Sequence, residues 1–572
     1  MAVTKQPLRM VRITQPLCSR VFGTAPCLAT GEKCYNTDVS CKFRTALSLT
    51  NTLTQDFVQE GYEAWVNVAG AYQPSLAISA LVDYDTAPTE LNVADGSRDS
   101  SPLGYRGVVS LTIKDFPWND LGTDPYPTSR ASNTNGSYWS KWLARNPFHV
   151  GYKIDIYEGE IGDTLAAMTR RTYEIEKINR TRSQVQITAK DVLRRITDTG
   201  ITAPKLSSGV LASGITSTAT SFTVAGALVA DYPSPGYVRI NSELIEYLSA
   251  SGTNAIVFSG LTRGSEGTTA ANHSQNERVQ WVLDYDDVRC DAIIDDLLTV
   301  QAGISTAYRN IAAWTAETDE WRPEFSFRAF ITEPTKIETL LGEVLSQSLM
   351  HLWWDERTSL IQLKAQKPDA APQLITDDAD IIAGSFSVRE FPERRASDVR
   401  VYYNLRTPIS DLNDPKSYAN GADRIDATKI GQYGQATVKE LFCRWIQSSA
   451  IATTLAASYG GRFADTRREI TFDMASDTVW TGDAIVIRHF DDVDLNGAAR
   501  DGDWLVTSAE ALIDRFRYVA EDNDMVGKLW AWVDDTIPVW ASATPTQKAT
   551  IGYWLDDNDL DQDGNPQPWR WL

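Results

Sequence analysis

The sequence predicts a multi-domain protein that is mainly β with α+β parts, built from β-barrels with short helices and one inserted small all-β domain. Three observations lead to this prediction. At 572 residues the chain is too long for one hydrophobic core. Apolar residues make up 42% and aromatic residues 10% of it, which is typical of globular domains. Short runs of alternating polar and apolar residues, separated by turn formers, recur along much of its length.

Residues 42–205 are predicted to form the first β-barrel domain. Their alternating segments predict strands at 64–68, 107–114, 152–157, 171–178 and 183–189. A short helix is predicted at 191–196, and residues 116–148, rich in Pro, Asn, Thr and Trp, are predicted to be a long functional or interfacial loop. This order indicates a half-barrel closed by a helix. Residues 8–13, upstream, are predicted to be one strand or an arm that pairs with a neighbouring subunit.

Residues 206–285 change in composition and are predicted to be the inserted small all-β domain. They are rich in Ser, Thr, Ala and Gly, and short strands are predicted at 220–224, 236–240, 243–247, 255–258 and 277–281. The turn-rich stretch Gly260-Leu-Thr-Arg-Gly-Ser-Glu-Gly-Thr-Thr-Ala-Ala-Asn-His273 lies between the last two strands. Arg263 and His273 within it suggest a contact with a glycan or a host surface. The pattern favours the simpler interpretation that both side chains hydrogen-bond the turn.

Residues 286–527 are predicted to be a second α+β and β-barrel region. Apolar residues at helical spacing predict helices at 286–303, 335–350 and 437–464. Alternation predicts a hairpin at 351–364, strands at 385–388 and 397–403, and a barrel closed by strands at 470–474, 483–488 and 503–508.

Residues 528–572 are predicted to be an extended docking segment. They hold six tryptophans separated by Asp-rich turns, and large aromatics of this kind often serve interfaces. Residues 559–565 begin like a calcium-binding loop. Position twelve of that loop is Arg570, which cannot be the bidentate carboxylate, so a solvated acidic turn is the favoured interpretation.

The formal net charge of −21 and the isoelectric point near 4.7 argue against a nucleic-acid-binding surface over most of the chain. Such a charge keeps an assembly protein soluble, and it also suits the lining of a channel through which DNA slides without sticking. No run approaches the ~20 apolar residues of a membrane span. Residues 1–17 contain no apolar signal-peptide core, which indicates a cytosolic origin.

Four of the six cysteines fall within 24 residues, at Cys18, Cys27, Cys34 and Cys41. The residues between them are turn formers, so a short chain can bring the thiols to one point. Two disulfides are one interpretation, although they suit secreted proteins better. Structural zinc is a second, although zinc normally uses shorter spacings than the gaps of eight, six and six residues found here. An iron–sulfur cluster is the third, because its ligands can come from separate turns.

The chain contains no sequence signature of a nucleotide-binding, serine-hydrolase or zinc-protease site, and we predict that it is not an enzyme. Its four histidines are far apart, at His149, His273, His351 and His489. A pair of carboxylates in a pocket would be the feature that favours an enzyme. Cys290 and Cys443 are predicted to be ordinary buried thiols in helices.

The cysteine pattern supports a family resemblance. The string Cys18-Ser-Arg-Val-Phe-Gly-Thr-Ala-Pro-Cys27, followed by Cys34-Tyr-Asn-Thr and Cys41, resembles the cysteine module of lambda-type tail-tip proteins. It is also similar to the cysteine region of baseplate hubs of long-tailed, siphovirus-like phages and gene-transfer agents. The resemblance implies that Cys18, Cys27, Cys34 and Cys41 bind an iron–sulfur cluster, with [4Fe-4S] expected and zinc as the alternative. Here the cysteines lie in the N-terminal segment 1–41, whereas in the lambda family they follow a separate domain.

Other segments resemble the same family. The strands of 42–205 are similar to the first hub domain, which shares the barrel of the tail-tube protein, and the Gly260–His273 stretch resembles a module inserted in many tail and hub proteins. The resemblance implies a structural hub at the virion tail tip, made in the host cytoplasm. It would form a trimeric ring that closes the tail tube, and channel opening would release DNA.

The implied partners are a distal tail ring protein, the C-terminus of the tape-measure protein and a central spike or fibre protein, with DNA only in transit and no stable membrane insertion. The alternatives are a tail-associated enzyme that degrades the cell envelope and a glycan-binding tail component.

Overall fold

The computed structural model describes residues 7–60, 77–88, 91, 103, 107–120, 122–129, 135–160, 163–197, 200–253, 255–367, 372–377, 379–493, 496–512 and 515–523, and short strands beyond them. The chain divides into two compact units. Unit 1 comprises 1–89, 106–194 and 354–361, and unit 2 comprises 90–105, 195–353 and 362–572. The five segments predicted from the sequence remain a prediction.

Unit 1 is built on a closed barrel in the order β1-β2-β3-β4-β7-β6-β5. Its seven strands are β1 Pro7–Leu17, β2 Asn51–Gln59, β3 Ile78–Ala87, β4 Val108–Lys114, β5 Lys153–Glu160, β6 Thr169–Arg180 and β7 Gln184–Lys190. β1 pairs antiparallel with both β2 and β5, so residues 8–13 form a strand of this barrel. β2 and β3 are parallel. The strand predicted at 64–68 lies outside the described residues.

The prediction of a long loop at 116–148 is wrong in part, because the segment contains helix α1, Tyr138–Arg145. Ser137 caps this helix, and its hydroxyl and that of Ser140 satisfy each other's backbone N–H groups. Trp139 and Trp142, three residues apart, lie on the face that packs into the barrel core. The short helix predicted at 191–196 is α2, Arg194–Thr197.

Unit 2 begins with the strands of the predicted small all-β domain, which form two four-stranded sheets with β16 of the following region. The sheet orders are β13-β14-β10-β9 and β12-β11-β15-β16. The strands from β8 to β16 are β8 Thr202–Ala203, β9 Val210–Leu211, β10 Ser221–Ala225, β11 Gly236–Ile240, β12 Glu243–Tyr247, β13 Ser249–Ser251, β14 Ile256–Ser259, β15 Gln280–Arg289 and β16 Ser326–Ile331. The strand predicted at 277–281 therefore begins later and is twice as long as expected.

The helix predicted at 286–303 starts only at Cys290, because the preceding residues continue β15 and pair with β16 across a bulge. The helices of this part are α3 Cys290–Asp296 with a π turn at Leu297–Gln301, α4 Ile311–Trp321 and α5 Ile337–Ser348. α4 was not predicted, and α5 confirms the helix predicted at 335–350. β17, Thr335–Lys336, pairs with β8. β18 Met350–Asp355 and β19 Leu360–Ala365 confirm the predicted hairpin.

The helix predicted at 437–464 is wrong in its first part. Residues Val438–Cys443 form β24, which pairs in parallel with β22 in the sheet β23-β22-β24. The helix, α7, begins only after this strand, at Ser449. The remaining elements are β22 Asp398–Leu405, β23 Tyr418–Ile425, α6 Ala427–Tyr433 and α7 Ser449–Phe463.

The second predicted barrel is an open six-stranded sheet in the described part of the chain, in the order β20-β26-β27-β28-β25-β21. Its strands are β20 Gln373–Thr376, β21 Ser387–Phe391, β25 Arg467–Met474, β26 Ala484–Val493, β27 Ala499–Ala511 and β28 Phe516–Asp522. The two outer strands, β20 and β21, are short and pair with only one neighbour each, so the sheet does not close.

Three short strands follow, β29 Trp530–Trp532, β30 Gly552–Tyr553 and β31 Pro568–Trp571, and they pair in the order β29-β31-β30. The calcium-loop candidate at 559–565 lies outside the described residues. None of the described helices has the length and apolar character needed to span a bilayer.

Candidate metal centre

The four clustered cysteines lie on one excursion of the chain, residues 18–50, which connects β1 to β2 and which we call the cysteine loop. Backbone hydrogen bonds fold it into turns. The N–H of Cys18 donates to the carbonyl of Asn36 at 2.7 Å, that of Cys27 to Thr24 at 2.9 Å, and that of Cys41 to Asp38 at 3.2 Å. The bonds of Cys27 and Cys41 close tight turns, whereas that of Cys18 joins the start of the loop to a residue well beyond it in the sequence.

The four thiols are near neighbours. Cys18, Cys27 and Cys34 are buried, Cys41 is half-buried, and all four are free. Burial raises the pKa of the Cys34 thiol, a hydrogen bond from the backbone of Asn36 opposes that rise, and the thiols of Cys41, Cys27 and Cys18 raise it further. The other three thiols affect the pKa of Cys34 because the loop brings them close to it.

Two aromatic contacts attach the cysteine loop to the segment that carries α1. The hydroxyl of Tyr126 accepts the backbone N–H of Phe22 at 3.0 Å, and the two rings meet edge to face. The guanidinium of Arg145, at the end of α1, lies 3.8 Å from the ring centroid of Tyr35. Asp120 accepts two hydrogen bonds from Arg145, at 2.8 and 3.0 Å, and so fixes its position.

Sequence reasoning identified the cysteines but missed these two contacts that attach the loop. Tyr35 and Arg145 are more than a hundred positions apart, and an isolated tyrosine or arginine has no local signature that indicates a cation–π contact. The only available signal was the long Trp-rich segment itself, which was predicted to be functional or interfacial.

The donor set has the chemistry of a thiolate centre. Four cysteine sulfurs suit structural zinc or an iron–sulfur cluster, and both require the thiolate form. Throughout the ranges that the structure describes, no group of three or more His, Cys, Asp or Glu side chains is arranged to hold a metal ion. The four cysteines are close enough to affect Cys34 but are not arranged as a metal-binding group in this structure, so the identity of the donors is the observation that bears on the centre.

The second candidate site, around Arg263 and His273, is a buried hydrogen-bond network. Glu243 is completely buried, and it accepts bonds from Nε and Nη2 of Arg263 at 2.7 and 2.8 Å and from Nε2 of His273 at 2.8 Å. The backbone N–H groups of Gly264 and Ala271 add bonds of 3.0 and 2.9 Å. Burial tends to raise the pKa of Glu243, but these donors hold it below its usual value. The network ties the turn together, as the simpler interpretation expects.

Replacing His273 with glutamine should lower the free energy of unfolding by about 1.5–3 kcal/mol, because one charge-assisted bond to a buried carboxylate is lost. Urea unfolding at pH 7 measures the loss. His149→Gln is the control: its half-buried ring has a backbone contact at 2.9 Å to the carbonyl of Asn146, so a smaller loss is expected. Equal losses in the two variants would contradict a network that depends on His273.

A cavity of about 500 Å³ in unit 2 is lined by two carboxylates, which is the feature that could favour an enzyme. Glu343 accepts bonds from Nε of Arg444 at 2.7 Å and from Nε1 of Trp445 at 2.8 Å. Glu440 accepts one from the hydroxyl of Tyr402 at 3.1 Å. Each carboxylate of this cavity is therefore engaged by hydrogen-bond donors of the protein itself.

The remaining histidines and cysteines are separate from both sites. His351 is buried and its pKa is lowered to about 3 by that burial, while His489 stacks on Phe386 with ring centroids 3.9 Å apart. Burial raises the pKa of Cys290 to about 12 and also raises that of Cys443. Cys290 begins α3, whereas Cys443 ends strand β24 and not a helix as predicted.

No protein-family model matches the chain, and no curated protein matches it. The solved structures similar to it include phage tail and baseplate proteins. One is the 43 kDa tail protein of prophage MuSo2 from Shewanella oneidensis, at 11% identity and a TM-score of 0.36, covering 78% of this chain and 99% of that one.

A tail protein from Neisseria meningitidis MC58 has 8% identity and a TM-score of 0.36, covering 78% of this chain and 98% of that one. A chain from the virion of a native gene transfer agent particle has 10% identity and a TM-score of 0.31, covering 56% of this chain and 86% of that one. TM-scores at this level do not establish a shared fold.

Proposed function

We propose that this protein is a structural hub of a long-tailed phage baseplate or tail tip. The observation that supports it best is the cysteine loop: four thiols converge on an excursion between two strands of a closed barrel. A β-barrel with short helices and this cysteine spacing are the two features that the sequence resemblance implies together. The acidic net charge of −21 suits a protein whose ring surrounds passing DNA.

As a hub, the chain would form a homotrimer that closes the tail tube, bind the distal tail ring, the tape-measure C-terminus and the spike or fibre protein, and open during DNA ejection. A closed ring of three identical subunits is built from heterologous contacts, in which two different patches of each chain meet. The protein would act through assembly and not through catalysis.

Cys18, Cys27, Cys34 and Cys41 would hold the iron–sulfur cluster or the zinc ion. Bound there, the group would supply four strong bonds to a loop that has few buried apolar side chains of its own, as structural metals do in small domains. The turns at Cys27 and Cys41 shape the loop, and its contacts with Tyr126 and Arg145 would transmit the rigidity of the bound group to the barrel.

Purification without oxygen tests the proposal. We expect a brown protein that contains iron and acid-labile sulfide and that loses its visible absorbance in Cys27→Ser, because one ligand is removed. Cys443→Ser is the matched control and should keep the colour, since that buried thiol lies on strand β24, outside the cysteine loop. A colourless protein with one equivalent of zinc would show that the cysteines bind zinc and not a cluster. A protein without any metal would contradict the proposed centre.

The mass of the same preparation distinguishes the proposed hub from the alternatives. Three chains of 63.5 kDa per particle are expected from a hub, measured by light scattering. Clearing of a purified peptidoglycan suspension by the wild-type protein would instead support the tail-associated enzyme. A monomer that clears nothing would contradict both.

A further inference from the structure

Asn36 contacts two of the four clustered cysteines at once. Its carbonyl oxygen accepts the backbone N–H of Cys18 at 2.7 Å, and its backbone hydrogen-bonds the sulfur of Cys34. Its side-chain Oδ1 lies 3.3 Å from Sγ of Cys34, which donates its thiol hydrogen there. The residue adopts a left-handed conformation with φ of +56°, which asparagine tolerates better than most residues.

The amide of Asn36 can serve both chemical states of Cys34. A neutral thiol donates a hydrogen bond, whereas a thiolate bound to a metal has no hydrogen and can only accept one. If Cys34 held a metal it would be a thiolate without a hydrogen to donate, and Nδ2–H of Asn36, rather than Oδ1, would be the side-chain group able to hydrogen-bond it. A carboxylate at this position could not make that exchange and would repel the thiolate.

We propose that Asn36 is a positioning residue of the cysteine centre, which holds Cys18 and Cys34 in register and donates an amide N–H to the ligated sulfur of Cys34. This inference rests on the proposed centre. Hydrogen bonds to ligating sulfurs stabilise the bound metal and tune the potential of iron–sulfur clusters. The contact with Cys18 belongs to the backbone and that of Oδ1 with Cys34 to the side chain, so glycine, which could keep the backbone conformation, would remove only the second.

The test compares wild-type protein, Asn36→Gly and Asn36→Asp, each reconstituted with iron and sulfide under anaerobic conditions. Asn36→Gly keeps the positive φ and removes the amide, and we expect iron release to an excess of chelator to be about 10–100-fold faster. Asn36→Asp keeps the size of the side chain and should release iron at least as fast as Asn36→Gly does. Asn276→Gly is the control, since Asn276 has a φ of +70° but lies on the small all-β part of unit 2.

The outcomes separate this inference from the proposal on which it depends. Failure of the wild-type protein to retain iron or zinc would overturn the centre itself. Retention by the wild type, with release from both Asn36 variants as slow as from Asn276→Gly, would overturn the role of Asn36 alone. If Asn36→Gly does not fold, as judged by circular dichroism, the comparison of iron release from Asn36→Asp with that from Asn276→Gly tests the role of Asn36. A changed reduction potential in the folded variants would support a direct effect on the bound sulfur.

Discussion

Replacing Glu356 with glutamine should raise the free energy of unfolding by less than about 1 kcal/mol at pH 5 and by about 3 kcal/mol at pH 8. Glu356 lies in the turn between β18 and β19, in the part of that hairpin that belongs to unit 1, and it is 4% exposed. Burial of a carboxylate penalises its ionised form, so the wild-type protein is destabilised at high pH.

The turn is held on strand β6 by contacts that do not involve this carboxylate. The backbone N–H of Thr172 donates to the carbonyl of Glu356 at 3.0 Å, and Nε1 of Trp354 donates to the carbonyl of Thr172 at 3.1 Å. The hydroxyl of Ser359 donates to that of Thr172 at 2.8 Å. Because these bonds hold the turn, a glutamine at 356 can occupy the same site.

The direction of the pH dependence follows from the pKa. Burial raises the pKa of Glu356 from 4.5 to about 7, Arg171 opposes that rise, and Asp355 and Asp191 add to it. Between these two values the folded state binds a proton that the unfolded state has released. The contribution of this group to stability is therefore complete below about pH 4.5, falls as the pH rises, and reaches its lowest value above about pH 7.

Urea unfolding of wild-type protein and Glu356→Gln at pH 5 and pH 8 measures the effect. Glu32→Gln is the control, because Glu32 is exposed and its substitution should change stability little at either pH. A difference between Glu356→Gln and wild type that is the same at both pH values would show that the buried carboxylate does not titrate in this range.

The barrel strands of unit 1 were predictable because each has one face in the core. In β7, for example, Val185, Ile187 and Ala189 are buried and alternate with polar residues, and this alternation is visible in the sequence. That signal was missing at 437–464, where the strand Val438-Lys-Glu-Leu-Phe-Cys443 does not alternate and a helix follows it closely. There the parallel pairing of β24 with β22 decides the structure, and a parallel partner leaves no mark in the local sequence.

The cysteine loop shows the same limit. The cysteines were evident from their clustering, and the turn formers between them predicted that they could converge. The residues that position them were not evident, because the stacking of Arg145 on Tyr35 and the bond from Phe22 to Tyr126 join parts of the chain that only the closed barrel brings together. Helix α1 was missed since its eight residues lie within a stretch rich in turn formers.

Trp139→Ala should lower the free energy of unfolding of unit 1 by about 3–5 kcal/mol, the range for removing a large aromatic side chain from a core. Trp139 is fully buried in the barrel. Its ring stacks on Phe57 with centroids 5.6 Å apart and meets Tyr138 and Trp142 edge to face at 5.3 and 5.5 Å. A cavity at this point would remove contacts with every one of these rings.

Trp139→Phe should cost less than Trp139→Ala. Phenylalanine keeps an aromatic ring, and it removes the indole N–H of Trp139, which is buried without a hydrogen-bond partner among the described residues. Phe148→Ala is the surface control, because this side chain is 66% exposed and its loss should change stability by less than about 0.5 kcal/mol. Urea unfolding followed by circular dichroism measures all three variants.

Trp139→Ala should also loosen the cysteine loop. Trp139 fixes α1 in the barrel, and α1 carries Arg145, which braces Tyr35 between two of the cysteines. In metal-free protein we therefore expect the thiols of the loop to react faster with a thiol reagent in Trp139→Ala than in wild type. Loss of stability without any change in thiol reactivity would show that the loop holds its shape independently of the barrel core, and the rigidity of the centre would then come from its own turns.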